Sequence, residues 1–263
     1  MKIKEVIRTL EHFAPLPLQE DYDNAGLQVG LTEAEVSGVL LCLDVTEQVI
    51  EEAEAKGCNM IVSHHPLIFR RLNHLTDENM VQRCVISAIR KGITIVSMHT
   101  NLDSASGGVN YMIARQLGLK AESIQLIDTH EVEGVEGGSC IIGELPEALS
   151  AEAYINKVKE TFHAGCVMTN ELLQRPIKRI AVCGGAGSFC LSKAINAGAD
   201  AFLTGEMHYH DYFDHEQEIQ ITVIGHYESE QYTRELLEQI IHKAHPEVRT
   251  VITEYNTNPI RYW

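Results

Sequence analysis

Four apolar runs of strand length in this 263-residue chain each end on a turn carrying histidine or carboxylate, and that recurrence restricts the fold. Residues 59–63 lead into His64-His65-Pro66, and Ile93-Thr94-Ile95-Val96-Ser97-Met98 leads into His99. Ala199 to Thr204 leads into Gly205-Glu206, and Ile221-Thr222-Val223-Ile224 into Gly225-His226. DYDNAGLQVG reads as a turn-rich loop, and helix-like segments alternate with the apolar runs: the periodic stretch TEQVIEEAEAKG stops near Gly57, another over about Asn79 to Lys91 stops at Gly92, and a single helix is expected over YESEQYTRELLEQIIHKAH after His226. Strand, loop and helix in repetition predict an α/β fold, with polar groups at the carboxyl ends of strands, where open α/β sheets place their sites.

The pattern predicts two interlinked α/β lobes with the site at strand ends facing a cavity. Residues 1–124 together with 221–263 form the expected ligand-bearing lobe, discontinuous in sequence. Residues 125–220 form the second, with strands over SCIIGEL, IKRIAVCGG and ADAFLTG and helices over AEAYINKVKETFH and LSKAINAG. At 44% hydrophobic residues the chain can bury an ordinary core.

A formal charge of −16 opposes the phosphate neutralisation on which nucleic-acid binding depends, so a duplex-binding role is disfavoured. A small anionic substrate remains compatible if bound metal meets it directly. The seven cysteines are odd in number and never spaced as CxxC, which reads as reduced thiols, most of them in the core. No run approaches the ~20 apolar residues of a membrane span. The amino-terminal segment shows helical periodicity through Ile3, Val6, Ile7 and Leu10, so the expected location is cytoplasmic.

Adjacent side chains leaving a strand end diverge. His64 and His65 are therefore poorly suited to chelating one ion and better suited to reaching two. Asp103, in the loop after the Ile93–Met98 run, is a fitting carboxylate partner for histidine at zinc, iron or manganese. His99 can be a third nitrogen ligand, a hydrogen-bond partner of a ligand, or a general base. If a helix begins at His226, Glu230 lies on the same face four residues on, while Glu228 points elsewhere as an exposed acidic helix start. A carboxylate at Glu230 can span ions about 3.5 to 4 Å apart. Glu206 is a polar group expected to face the metals, and the roles of His208 and His210 stay open. Gly184-Gly185-Ala186-Gly187-Ser188 lacks the lysine and spacing of a Walker loop and reads as a tight strand-to-helix turn, with phosphate cradling as the alternative.

DNAGLQVG, SHHPLIF, HTNLD, GEMHYHD and GHYESE, in this order along nearly the whole chain, resemble the Nif-like (YbgI) dinuclear metal-centre family, often labelled GTP cyclohydrolase I type 2 homologs. The resemblance implies two divalent ions per subunit, of zinc, iron, manganese or nickel. Their implied ligands are His64, His65, Asp103, His226 and Glu230. One histidine of the pair serves each ion, Asp103 completes one, His226 completes the other, and Glu230 contacts both. It also implies a ring-shaped homohexamer. Metal-assisted hydrolysis is the expected activity, with His99 or Glu206 moving protons and a nucleotide-like molecule, phosphoester or amide as substrate. The alternative is a non-enzymatic oligomeric scaffold or metal store. No guanine-reading element is recognisable in the sequence.

Overall fold

The computed structural model describes residues 1–263 and divides them into two compact units. The first comprises Met1–Ala105 and Thr233–Pro259, and the second Ser106–Tyr232 and Ile260–Trp263. These borders differ from the expected 1–124 with 221–263. Helix Val109–Leu117 packs on helix Ala151–Thr161, on strand Ile177–Cys183 and on the short helix His226–Glu230, so packing assigns both Val109–Leu117 and His226–Glu230 to the second unit. The α/β class stands.

In the first unit, Gly26–Val29, Thr94–Ser97, Met60–Ser63, Val39–Cys42 and Thr250–Ile252 lie side by side in that order. All neighbours run parallel except Gly26–Val29, which pairs antiparallel with Thr94–Ser97. The three central strands are buried at every residue, as expected of parallel strands covered on both faces. One core joins Leu40, Ile61 and Ile95 to Ile50 and Ala53 of helix Glu47–Ala55 and to Val85 of helix Met80–Lys91. Both helices start on the expected type of cap: Thr46 accepts from the amide of Val49, and Asn79 from that of Gln82. Helices Ile3–Phe13 and Thr233–Ala244 pack on each other, the latter also on strand Val39–Cys42.

The second unit carries a six-stranded sheet in the order Gln125–Leu126, Ile141–Leu149, Ile177–Cys183, Ala201–Thr204, Gln220–Val223, Met168–Thr169. Its three strands from 177, 201 and 220 are parallel, flanked by antiparallel neighbours. Phe202, Ile221 and Val223 centre its core. In both units the carboxyl ends of parallel strands therefore deliver the histidine- and glutamate-bearing turns.

Three local expectations change. Residues Gly26–Val29, read as loop, form a strand because they complete the edge beside Thr94–Ser97. Asp103 lies in a one-turn helix, Thr100–Ser104, rather than a loop. The single helix expected after His226 is two, His226–Glu230 and Thr233–Ala244, and the compact units divide between them at Tyr232 and Thr233.

The thiols also differ from expectation. Cys140 and Cys190 are joined as a disulfide, with the sulfur of Cys183 close by, while Cys42, Cys58 and Cys84 are separate buried thiols and Cys166 is exposed. Fifty residues separate the bonded pair, which meets in the core of the second unit, so no spacing motif announces it. No helix is long and apolar enough to cross a membrane.

Candidate metal centre

His64 leaves the end of strand Met60–Ser63 and is fully buried. Its Nδ1 lies 2.8 Å from the carbonyl oxygen of Met98, and because a carbonyl only accepts, Nδ1 carries the proton. That leaves Nε2 as the nitrogen with a lone pair, 3.6 Å from Oδ1 of Asp103. His65 repeats the arrangement, with Nδ1 2.8 Å from Oδ1 of Asp44. Thr257 donates its hydroxyl to the other Asp44 oxygen at 2.8 Å. His99 repeats it again, with Nδ1 2.7 Å from Oδ1 of Asp23. Each of His64, His65 and His99 offers a ligand atom within 4.8 Å of the others, with ring centroids 4.8 to 5.5 Å apart.

The backbone under this cluster is pinned by buried polar groups. The Ser63 and Ser97 hydroxyls, on neighbouring strands, meet at 2.8 Å, and Ser63 also donates to the His65 carbonyl at 2.9 Å. Asn101 accepts from the His99 amide at 2.9 Å and donates to the Ala14 carbonyl at 2.8 Å, which fixes the turn carrying His99 and Asp103.

Burial alone would push the Asp23 carboxyl up. The hydrogen bonds from His99 and Thr100 outweigh it and hold the group at about 2. Asp44 follows the same logic: burial opposes ionisation, and the hydrogen bond and charge of His65, helped by Thr257, hold it below the ordinary carboxylate range. Both acids are therefore anions at neutral pH, suited to fixing the imidazole tautomer by accepting the Nδ1 proton.

In the second unit, helix His226–Glu230 begins where strand Gln220–Val223 ends, after Gly225 at φ +101°. His226 Nε2 is 3.2 Å from Oε2 of Glu230, the expected one-face pair, and His226 Nδ1 is 2.9 Å from Oε1 of Glu206. Glu206 thus orients His226. Glu230 is buried against Gly185, where φ is +58° and an added Cβ would stand 2.3 Å from Oε1 of Glu230. Ser229 ties helix and glycine turn together, accepting from the Gly185 amide at 3.0 Å and donating to the His226 carbonyl at 2.8 Å. Two more amides of the turn are engaged, Gly184 with the Asn110 side chain and Gly187 with the Thr204 hydroxyl.

Glu228 departs from its expected exposure. It is buried, and an added Cβ at Gly225 would stand 2.2 Å from its Oε2. His208 and His210 are exposed, and Asp211 caps the His208 amide at 3.2 Å.

Within the first unit the structure brings together His64, His65, His99 and Asp103, and within the second His226, Glu230 and Glu206. Sequence reasoning missed Asp23 and Asp44. Asp44 had a readable signal, since it follows strand Val39–Cys42 much as His64 follows Met60–Ser63. Asp23 opens the motif DNAGLQVG, but its role was unreadable, because only folding brings it to His99, 76 residues along the chain.

Residues 1–259 match the family Duf34/NIF3 (NGG1p interacting factor 3). The chain belongs to that family. A Clostridium acetobutylicum protein named GTP cyclohydrolase 1 type 2 homolog is 32% identical over all of this chain and 99% of its own length. A Clostridium perfringens protein of the same name is 36% identical over 88% of this chain and 87% of its own. Among solved structures, the Staphylococcus aureus hypothetical protein SA1388 superposes with a TM-score of 0.90 at 28% identity, covering 100% of this chain and 99% of that one. Protein ybgI, described as of unknown function, superposes at 0.83 with 18% identity over 99% and 100% of the two chains, a likeness of fold. The motifs that suggested the YbgI family therefore led to the right one.

Proposed function

We propose that this Duf34/NIF3 protein binds two divalent metal ions per subunit and is a metal-dependent hydrolase of a small nucleotide-like, phosphoester or amide substrate. The proposed ligands are His64, His65, Asp103, His226 and Glu230. The observation that carries it is the shared anchoring of the imidazoles. His64, His65 and His226 each give Nδ1 to a carbonyl or carboxylate acceptor, and this arrangement characterises metal-ligating histidine. Three imidazole nitrogens and two carboxylates suit zinc, iron, manganese or nickel.

When bound, such ions supply Lewis-acid polarisation of a substrate oxygen and a water that ionises near neutral pH. The chain's own residues do the rest. Glu206 holds His226 in its tautomer, and Asp44 does the same for His65. With Glu206 so engaged, proton transfer falls to His99, whose Nδ1 faces the Asp23 anion and whose Nε2 is then the basic nitrogen.

Elemental analysis of protein purified without added metal tests the binding reading, with two equivalents expected per chain. Glu230→Ala is expected to lose at least one of them. Turnover assays with GTP, phosphoesters and amides test the hydrolase reading. Hydrolysis that persists after complete metal removal would overturn it, and two bound equivalents without turnover of any class would leave a metal-binding scaffold.

A further inference from the structure

The motif Gly205-Glu206-Met207-His208-Tyr209-His210-Asp211 is only partly used by the proposed centre: Glu206 holds His226, and the residues after it build something else. Met207, Tyr209, Tyr212 and Phe213, with Met168 from the edge strand, wall a cavity of about 640 Å³ within the second unit. Tyr209 is 74% exposed, with its ring centroid 5.4 Å from that of Phe213 in an edge-to-face pair. Glu171 and Glu216 also line the cavity, and neither makes an ion pair or hydrogen bond. No lysine or arginine lines it.

The frame of this cavity is built, and at a cost. Asn170 donates to the carbonyls of His215 and Ile219 and accepts from the Ile221 amide and the Gln220 side chain, which clamps the edge strand to residues 215–221. Glu216 sits in a turn where Asp214 and Gln217 both adopt left-handed backbone, at φ 63° and 60°. The chain has only four such non-glycine residues, so half of them flank Glu216. Side chains other than glycine avoid this region, and such conformations persist where surrounding contacts over-determine them. Gln217 is over-determined here, accepting from the Gln174 amide at 2.9 Å and donating to the Leu172 carbonyl at 3.0 Å. The Tyr212 hydroxyl is screened from solvent with no hydrogen-bond partner.

We propose that this cavity is a binding site for an organic cation with an apolar or aromatic body, of the quaternary-ammonium or protonated aromatic-amine class. Aromatic faces attract cations through the ring quadrupole, and methionine walls adapt to an irregular apolar body. The two uncompensated carboxylates select positive charge, in a chain whose net charge of −16 already favours cations. The inference is independent of the metal reading, since none of the five proposed ligands lines the cavity.

Calorimetric titration of the full chain with phenyltrimethylammonium, against neutral N,N-dimethylaniline at pH 8, tests it. The cation is expected to bind at least about tenfold more tightly than the neutral probe, roughly what cation–π contact together with the two carboxylates supplies. Its affinity should fall with added salt. Glu171→Gln with Glu216→Gln should reduce binding of the cation to the level of the neutral probe, and Tyr209→Ala with Phe213→Ala should abolish both. Circular dichroism melts of each variant establish that it folds. Equal affinity for the two probes, or cation binding indifferent to both double variants, overturns the proposal. So does absence of binding together with concentration-dependent self-association that Tyr209→Glu abolishes, which would assign the cavity to a second copy of the chain.

Discussion

At the scale of single residues, the chain treats its clustered histidines alike: an oxygen acceptor takes Nδ1, and Nε2 is turned the other way. Two predictions separate the acceptors by the histidine each serves. Asp44→Asn weakens the hold on a proposed ligand, His65, and is expected to lower metal affinity roughly 10- to 100-fold, measured by competition with a chromophoric chelator. Asp23→Asn acts on His99 and is expected to leave metal content unchanged while lowering turnover by about 100-fold, within the range of general-base contributions. Loss of metal from Asp23→Asn at the Asp44→Asn level would make His99 a ligand instead.

The low value of Asp23 has a consequence for stability against acid. Its carboxyl is depressed on folding, from 3.8 to about 2, so the folded state favours the anion. The stabilisation is complete above the unfolded value and is lost as pH falls from about 4 toward 2. A shift of that size corresponds to on the order of 2 kcal/mol. Urea unfolding at pH 6 and pH 2.5, compared between wild type and Asp23→Asn, should show the difference between the two proteins shrinking by roughly two thirds of that amount at the lower pH. An unchanged difference would mean that the Asp23 pairing is absent in solution.

At the scale of elements, the glycine turn after strand Ile177–Cys183 seats helix His226–Glu230. Gly185 combines a left-handed backbone with a position where Oε1 of Glu230 excludes any Cβ. Gly185→Ala must therefore distort the turn or displace Glu230. Its expected cost is about 1 to 2 kcal/mol in chemical denaturation, together with weakened metal binding. Gly92→Ala, also at positive φ but with nothing within 4 Å of an added Cβ, is the control: it should lose comparable backbone energy and keep its metal. The elements themselves were largely legible. Periodicity and caps located the helices ending near Gly57 and Gly92, and apolar runs located the parallel strands. The edge strand Gly26–Val29 was not, because its burial alternates weakly and its partner is almost 70 residues away.

At the scale of the whole molecule, the resemblance read from the sequence implies an assembly. We expect a homohexamer, with a native mass near six times the 29.4 kDa of one chain by light scattering. A monomer at micromolar concentration would remove that expectation and leave the ligand arrangement of each unit untouched.

The sequence by itself determined the α/β class, the strand ends that carry His64, His65, His99 and Glu206, and the helical pairing of His226 with Glu230. These follow from local rules: apolar runs, caps, and residues four apart on one helix face. Tertiary structure alone decided that Asp23 and Asp44 hold imidazoles, that Gly185 seats Glu230, that Glu228 is buried, that Cys140 meets Cys190, and that His226 belongs with the second unit. Each of these joins residues through packing between distant segments, and a linear pattern carries no record of which distant segment folding brings alongside.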